Sequence, residues 1–305
     1  MYRFLGNIRA FARHIRNHHT VTTCTKLTFK TPYSAIEGDL LDGACYELME
    51  HGALGTTVEM PPLLSCFVES NELTVENFIQ FAKDLGLTLQ DRQEVTQQNW
   101  SEQCPELWLP IQAGDIKILP VQSPADTQAV SPDTLKIIPG LGFGTGHHPT
   151  TRMILTVLSQ LKTAGNFTPT SALDIGTGSG ILAIAATRLF NIEVQAFDID
   201  PAALLNARDN CELNSTLDTV HLSTTPIEEM RGEYDLIIGN LYGEVLIQMA
   251  PEVSRLAARK CTVVLSGITD LVRNLVVEAY TQGDRWTIIE EYVEDSWVCL
   301  VLRSE

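Results

Sequence analysis

The stretch "SALDIGTGSGILAIAATRLFNIEVQAFDID" (171–200) constrains the fold more than any other part of the chain. A short apolar run ends in a glycine-rich turn, an apolar segment long enough for a helix follows, and a second apolar run ends at an acid. Strand, turn, helix and strand in that order form a βαβ unit. The pattern continues. "PAALLNARDNCELN" reads as a helix, "DTVHLS", "YDLIIGN" and "CTVVLSG" as strands, and "GEVLIQMAPEVSRLAA" and "DLVRNLVVEAYTQ" as helices after the last two. Such alternation implies a parallel, doubly wound α/β sheet. The final segments differ: "WTIIEEYVED" and "SWVCLVLRS" are adjacent strands and predict an antiparallel hairpin closing the edge of the sheet.

At 305 residues the chain exceeds one compact domain, so a second unit is expected ahead of this one. "TKLTFKT" reads as a strand, and Ile36, Leu40, Leu41, Ala44 and Leu48 mark one helical face. "GTTVEM" and "LLSCFVES" are strands, "TVENFIQFAKDLG" a helix and "LTLQDRQEV" a last strand. The order β-α-β-β-α-β predicts a small α+β ferredoxin-like domain over 25–95. Residues 96–137, with Trp100, Trp108, five prolines and "SPADTQAVSPDT", read as a linker with one or two strands such as "DIKILPV". The tryptophans are expected to pack at a domain junction, and the doubly wound domain to occupy 138–305. Residues 1–24 form a basic extension with Phe4, Ile8, Phe11 and Ile15 at helical spacing. Such a start fits a targeting peptide, a frayed extension or an upstream start codon. The expected location is cytoplasmic, or organellar if the extension targets.

Charge narrows the partners. The first 36 residues hold six basic groups and no acid, leaving 15 basic against 38 acidic residues in the rest. An acidic body repels nucleic acid and attracts a basic partner. Neither a direct nucleic-acid partner nor a membrane is expected, since the longest apolar-rich run, Ile181 to Phe190, is too short to span. Seven scattered cysteines without a C-x-x-C pair read as reduced thiols of an intracellular protein. His147 and His148 have no carboxylate or cysteine at metal spacing, so no metal is expected.

Asp174 closes the first strand of the doubly wound sheet, and Gly176, Gly178 and Gly180 occupy the turn after it. Such turns lie at the carboxyl ends of the strands, where these folds bind ligands. A dinucleotide-binding G-x-G-x-x-G needs glycine at 181, where this chain has Ile181. Asp198 ends the second strand, 22 residues after Gly176, where an acid accepts hydrogen bonds from both ribose hydroxyls. It identifies an adenosine and not a reaction; capping of the next helix falls to Asp200, just before Pro201. Asn240 ends the fourth strand and reads either as a carbonyl acceptor that orients an incoming nucleophile or as a turn residue before Gly243. Pro149 and Thr150 look like a helix start, whose free N–H groups and hydroxyls can hold a carboxylate.

In this order, "PGLGFGTGHHPTT", "LDIGTGSGILAIAA", "DIDPAAL", "GNLYGEVL" and "LSGI" resemble the S-adenosylmethionine-dependent methyltransferases. Within them the chain resembles the bacterial ribosomal protein L-eleven methyltransferase family, from about Thr25 onward and most strongly from Pro139. The resemblance implies a class I, Rossmann-like methyltransferase domain with S-adenosyl-L-methionine as cofactor. It implies cofactor contacts at Thr150, Thr151, Asp174, Gly176, Gly178, Asp198 and Asn240, catalytic roles for Asn240 and Tyr242, and a first turn (142–151) lying over the second. It also implies transfer to lysine ε-amines, and to an N-terminal α-amine, of a large-subunit ribosomal protein that is free rather than ribosome-bound, by a monomeric enzyme. Methylation of another basic protein, a nicotinamide-dependent oxidoreductase and a noncatalytic cofactor-binding module are the competing readings.

Overall fold

The structure, a computed structural model, describes residues 23–32, 44, 47, 48, 51, 53, 55–59, 63–96, 109–121, 123, 126, 131, 133–138, 144–283 and 285–305. Most of the basic extension, and Trp100 and Trp108, lie outside the described residues. The chain divides into two compact units, Met1–Cys104 and Pro105–Glu305.

In the first unit, β1 (Thr23–Lys30), β2 (Gly55–Glu59), β3 (Leu63–Glu69) and β4 (Thr88–Thr96) form one sheet in the order β2-β3-β1-β4, with every pairing antiparallel. Helix α1 (Glu72–Asp84) connects β3 to β4. Asn71 starts it by accepting hydrogen bonds from the N–H groups of Leu73 and Thr74, which the first turn leaves without helical partners. Val75, Phe78 and Ala82 recur at helical spacing and close on Leu27, Phe29, Leu64 and Cys66 of the sheet. Ala44 and Leu48, from the first expected helical face, are helical and buried in the same core.

The second unit opens with strands inside the stretch expected as a linker. β5 (Ile111–Ala113), β6 (Ile116–Pro120) and β7 (Thr134–Ile137) form a sheet, antiparallel between β5 and β6 and parallel between β6 and β7. Ile116, Ile118, Leu135 and Ile137 join one core with Ile154 and Leu158 of α2 (Pro149–Ala164). β6 is the strand expected from "DIKILPV"; β5 and β7 are short and flanked by polar, proline-bearing sequence, which is why composition read the rest of the region as a connection.

The main sheet contains β8 (Ser171–Ile175), β9 (Glu193–Phe197), β10 (Val220–Ser223), β11 (Tyr234–Asn240), β12 (Ala257–Thr269), β13 (Trp286–Glu294) and β14 (Trp297–Ser304). Their order is β10-β9-β8-β11-β12-β14-β13, parallel from β10 to β12, with β14 antiparallel to both its neighbours. The helices are α3 (Ile181–Phe190), α4 (Pro201–Leu213), α5 (Gly243–Leu256) and α6 (Asp270–Thr281). Successive strand residues point to opposite faces. Accordingly Leu236, Ile238, Val264 and Val301 enter the core under α2 and α3, while Ile237, Val263, Leu265 and Leu300 enter the core under α5 and α6. This two-sided burial is the doubly wound arrangement that the strand–helix alternation predicts. Among the described residues, no helix is long and apolar enough to cross a membrane.

Leu300 is 0% exposed and lies opposite Leu265 of β12 and Glu291 of β13. Leu300→Ala should cost roughly 2–5 kcal/mol. Urea unfolding should show a lower midpoint with an unchanged slope.

Candidate active site

Three strand ends build the site. The turn 176–180 leads from β8 into α3, Asp198 follows β9, and Asn240 ends β11. In a parallel sheet these ends lie on one edge, beside the switch in strand order between β8 and β11.

The turn folds back over β9, with the N–H groups of Gly176 and Thr177 donating to the Phe197 carbonyl at 3.0 and 2.9 Å. Gly176 has φ 69°, and a Cβ there would lie 2.5 Å from Leu241 Cδ2. At Gly180, with φ 81°, a Cβ would sit 3.1 Å from that of Ala207 on α4. Conformation and close approach both call for glycine at these two positions. Asp174 holds the turn from beneath. It is fully buried, its Oδ2 accepts the Thr177 hydroxyl at 2.6 Å, and burial pushes its carboxyl up to about 7 against the hydrogen bonds from Thr177 and the Ala183 amide.

Asp198 Oδ2 accepts from the Gly178 N–H at 2.9 Å and Oδ1 from the Asp200 N–H at 3.0 Å. Each oxygen retains a lone pair for a ligand donor. Burial raises this carboxyl too, opposed by the N–H groups of Asp200 and Gly178. Asp200 is the cap of α4, accepting from the Ala202 N–H at 2.8 Å.

Asn240 Nδ2 donates to Thr151 Oγ1 at 3.1 Å, which ties β11 to the first turn of α2. Its Oδ1 is buried and has no hydrogen-bond partner among the described residues. An unpaired buried acceptor costs about 1–3 kcal/mol, so this atom suits a donor that arrives with a ligand. Tyr242, two residues on, is 39% exposed and precedes α5.

Thr150 and Thr151 are 0% exposed at the start of α2. His148 caps that helix: its Nδ1 accepts from the Thr150 N–H at 3.4 Å and pairs with the Thr150 hydroxyl at 2.8 Å. Trp297 meets the imidazole edge-on at 4.9 Å, and Arg152 links the His147 carbonyl to Glu294. Burial, and then the Arg152 guanidinium, lower His148 to about 4, with Glu294 opposing. The ring is therefore neutral near pH 7, the state in which Nδ1 can accept.

The structure thus brings Gly176, Gly178, Asp198, Asn240 and Thr151 to connected strand ends, with Thr150 beside them and Asp174 beneath the turn. Gly142 and Phe143 of the first turn lie outside the described residues, but Gly144 meets the second turn directly: the Ser179 hydroxyl donates to the Gly144 carbonyl at 2.6 Å. Among the described residues, no three His, Cys, Asp or Glu gather to hold a metal.

Sequence reasoning missed a row of amides on α4. Asn214 accepts from the Lys136 N–H at 3.0 Å and donates to the Lys136 carbonyl at 2.6 Å. Asn210 accepts from the Ile138 N–H at 2.8 Å, and Asn206 donates to the Ile138 carbonyl at 3.3 Å. Four helical residues advance about 6 Å and two strand residues about 6.6 Å, so amides at i, i+4 and i+8 can pair with alternate groups of an extended chain. The spacing of Asn206, Asn210 and Asn214, with Asn210 beside the buried Ala207 and Cys211, was the available signal.

A parallel sheet with one antiparallel strand set inside its far edge, and with its glycine turn, acid and asparagine on neighbouring strand ends, defines a class I, Rossmann-like methyltransferase. Residues 41–305 match the sequence profile of the ribosomal protein L11 methyltransferases, and the chain belongs to that family. A ribosomal protein L11 methyltransferase of Geotalea daltonii is 34% identical over 217 residues, covering 68% of each chain. One from Streptococcus pyogenes is 30% identical over 227 residues, covering 73% of this chain and 69% of its own. The crystal structure of a ribosomal protein L11 methylase from Lactobacillus delbrueckii subsp. bulgaricus superposes with a TM-score of 0.56 at 28% identity, over 64% of this chain and 99% of that one. The protein is an enzyme, and its methyl donor is S-adenosylmethionine.

The His148 cap carries a pH signature. As pH falls below 6.5, an unfolded histidine takes up a proton that the folded one refuses until about 4. Stability should therefore fall across that window, by up to about 1.4 kcal/mol per pH unit. His148→Asn keeps a capping acceptor without the titration. Urea midpoints measured from pH 7 to pH 4.5 should fall less steeply for the variant than for the parent.

Proposed function

We propose that the enzyme methylates amines of a large-subunit ribosomal protein, lysine ε-amines and the N-terminal α-amine, and that it takes this substrate free, before ribosomal RNA covers it. Membership of the family and the names of its relatives support the substrate. The body of the chain, with 15 basic against 38 acidic residues after the first 36, favours a basic protein and disfavours direct contact with nucleic acid. In this reading the enzyme is monomeric and acts in the cytoplasm.

One observation carries the assignment of the site: the buried Asn240 Oδ1 at the end of β11, adjoining Thr151, has no hydrogen-bond partner among the described residues. The residues fit S-adenosylmethionine. Asp198 has acceptors for ribose hydroxyls, Gly176 and Gly178 give backbone that a ligand can approach, and the Thr151 hydroxyl, which accepts from Asn240, keeps its own proton for a carboxylate. Asp174 acts through the turn it supports. When bound, S-adenosylmethionine supplies an electrophilic methyl on a cationic sulfur, which an uncharged amine accepts.

A lysine with its ordinary pKa of about 10.4 is almost wholly protonated at pH 7, so the site must favour the free base. Desolvation and a neighbouring cation both do so. Asn240 Oδ1 accepts from an amine N–H and aims the nitrogen lone pair, while Tyr242 lines the approach. No strong general base is needed; the amine proton leaves to water, and the residues contribute chiefly by positioning.

The first unit is the proposed substrate-recognition domain. Its sheet order β2-β3-β1-β4, antiparallel throughout, supports the ferredoxin-like reading over 25–95. Packing of β5–β7 on α2 supports a catalytic domain that begins ahead of residue 138 and includes the strands of the connecting stretch.

Intact-mass spectrometry of purified large-subunit stalk-base protein, incubated with enzyme and S-adenosylmethionine, should show increments of whole methyl groups that disappear with Asp198→Ala. A substrate of unchanged mass under conditions where S-adenosylhomocysteine binds would reject this protein as the substrate. Asn240→Ala should lower kcat by roughly 10²-fold while changing the affinity for S-adenosylhomocysteine much less. Full activity with normal cofactor affinity would remove Asn240 from the mechanism.

A further inference from the structure

We infer that Ser179 and Asn210 are positioning residues that hold the start of α2, and Thr151 with it, in register with the glycine turn. Both side chains are 0% exposed, and each joins segments distant in sequence. Asn210 Nδ2 donates to the Ser179 carbonyl at 2.8 Å while its Oδ1 takes the Ile138 N–H at 2.8 Å. Ser179 Oγ donates to the Gly144 carbonyl at 2.6 Å. From Gly144 the chain passes to the His148 cap and on to Thr151, whose Oγ1 receives the Asn240 amide at 3.1 Å. The circuit runs Asn210, Ser179, Gly144, Thr151, Asn240, and it connects the ends of β8 and β11 through a helix start that belongs to neither.

The contacts leave little slack. Gly144 has φ 102°, and a Cβ there would lie 3.1 Å from Ser179 Oγ. Gly180, the residue after Ser179, is held against Ala207, three residues before Asn210 and so on the same face of α4. Asn210 is therefore fixed by backbone packing where its amide can reach both the turn and Ile138. Removing the Ser179 hydroxyl takes its donor from the Gly144 carbonyl and its acceptor from the Ile181 N–H at 3.4 Å, and so breaks the side-chain tie between the segment 144–151 and the turn.

The inference concerns the same cofactor site as the proposed function, but its first test needs no ligand. In the free enzyme, Ser179→Ala should speed amide hydrogen exchange across 145–152 by about fivefold or more, with the amides of β8, β9 and β11 unchanged. A uniform rise throughout the second unit, or no local change, would overturn it. The second test is calorimetric binding of S-adenosylhomocysteine to Ser179→Ala, Thr151→Val and the double variant. Each single change should weaken binding by roughly five- to tenfold, and the double variant should be scarcely worse than the weaker single one.

Additive losses would show that Ser179 does not act through Thr151. Asn210→Asp keeps the acceptor for the Ile138 N–H and loses the donor to the Ser179 carbonyl, so it tests the other end of the circuit if Ser179→Ala does not fold. It should show the same local exchange and the same non-additivity with Thr151→Val; normal exchange and affinity would overturn the inference. Failure of the parent enzyme to bind S-adenosylhomocysteine would count against the cofactor reading alone, because the exchange test stands without it.

Discussion

Backbone without a side chain at Gly176 and Gly180 lets Leu241 and Ala207 close on one turn from two different elements. Leu241 adjoins Asn240, and Ala207 lies on the helix that Asp200 caps after Asp198. The approach of these neighbours therefore sets the spacing between the glycine turn, the strand-end asparagine and the strand-end acid. A side chain at either glycine would face a positive φ, and at Gly176 would also push the Leu241 side chain aside. The turn's own N–H groups are used economically: those of Gly176 and Thr177 are spent on Phe197, and that of Gly178 on Asp198.

The electrostatics follow from burial. Asp174 and Asp198 lie close enough for the charge of Asp198 to raise Asp174, and desolvation raises both. A cation placed near such carboxylates recovers part of the stabilisation that water would have given them. The half-buried His148 works in the opposite sense: it excludes its own positive charge and, as a neutral acceptor, caps the start of α2.

Much of this was readable from the chain. The alternation from 171 onward predicts the doubly wound sheet because β8, β9 and β11 are each a short, largely apolar segment ending at a turn or polar residue, with helical runs between them. Asp198 and Asn240 stood out because a polar side chain directly after such a run must face the strand ends. Ser179 and Asn210 did not stand out, since a serine in a glycine-rich turn and an asparagine in a helix are ordinary residues until the groups they reach are known. Those groups are backbone atoms 35, 31 and 72 residues away in sequence, and residue type does not encode them. Of the strands β5–β7, β6 was legible in "DIKILPV", while β5 and β7 were obscured because their apolar runs are too brief to outweigh the prolines around them.

The place of β14 bears on how the molecule is assembled. β13 precedes it in the chain, yet β13 reaches the sheet only through β14, which separates it from β12. Until β14 inserts, β12 presents an unpaired edge rich in valine and leucine, and β13 has no partner strand in this sheet. The hairpin must therefore dock as a unit or in reverse order of synthesis. A nascent chain passes through an interval in which that apolar edge can pair with another molecule instead. The same strand that completes the native sheet then also covers the apolar edge of β12, leaving β13 as the outer strand.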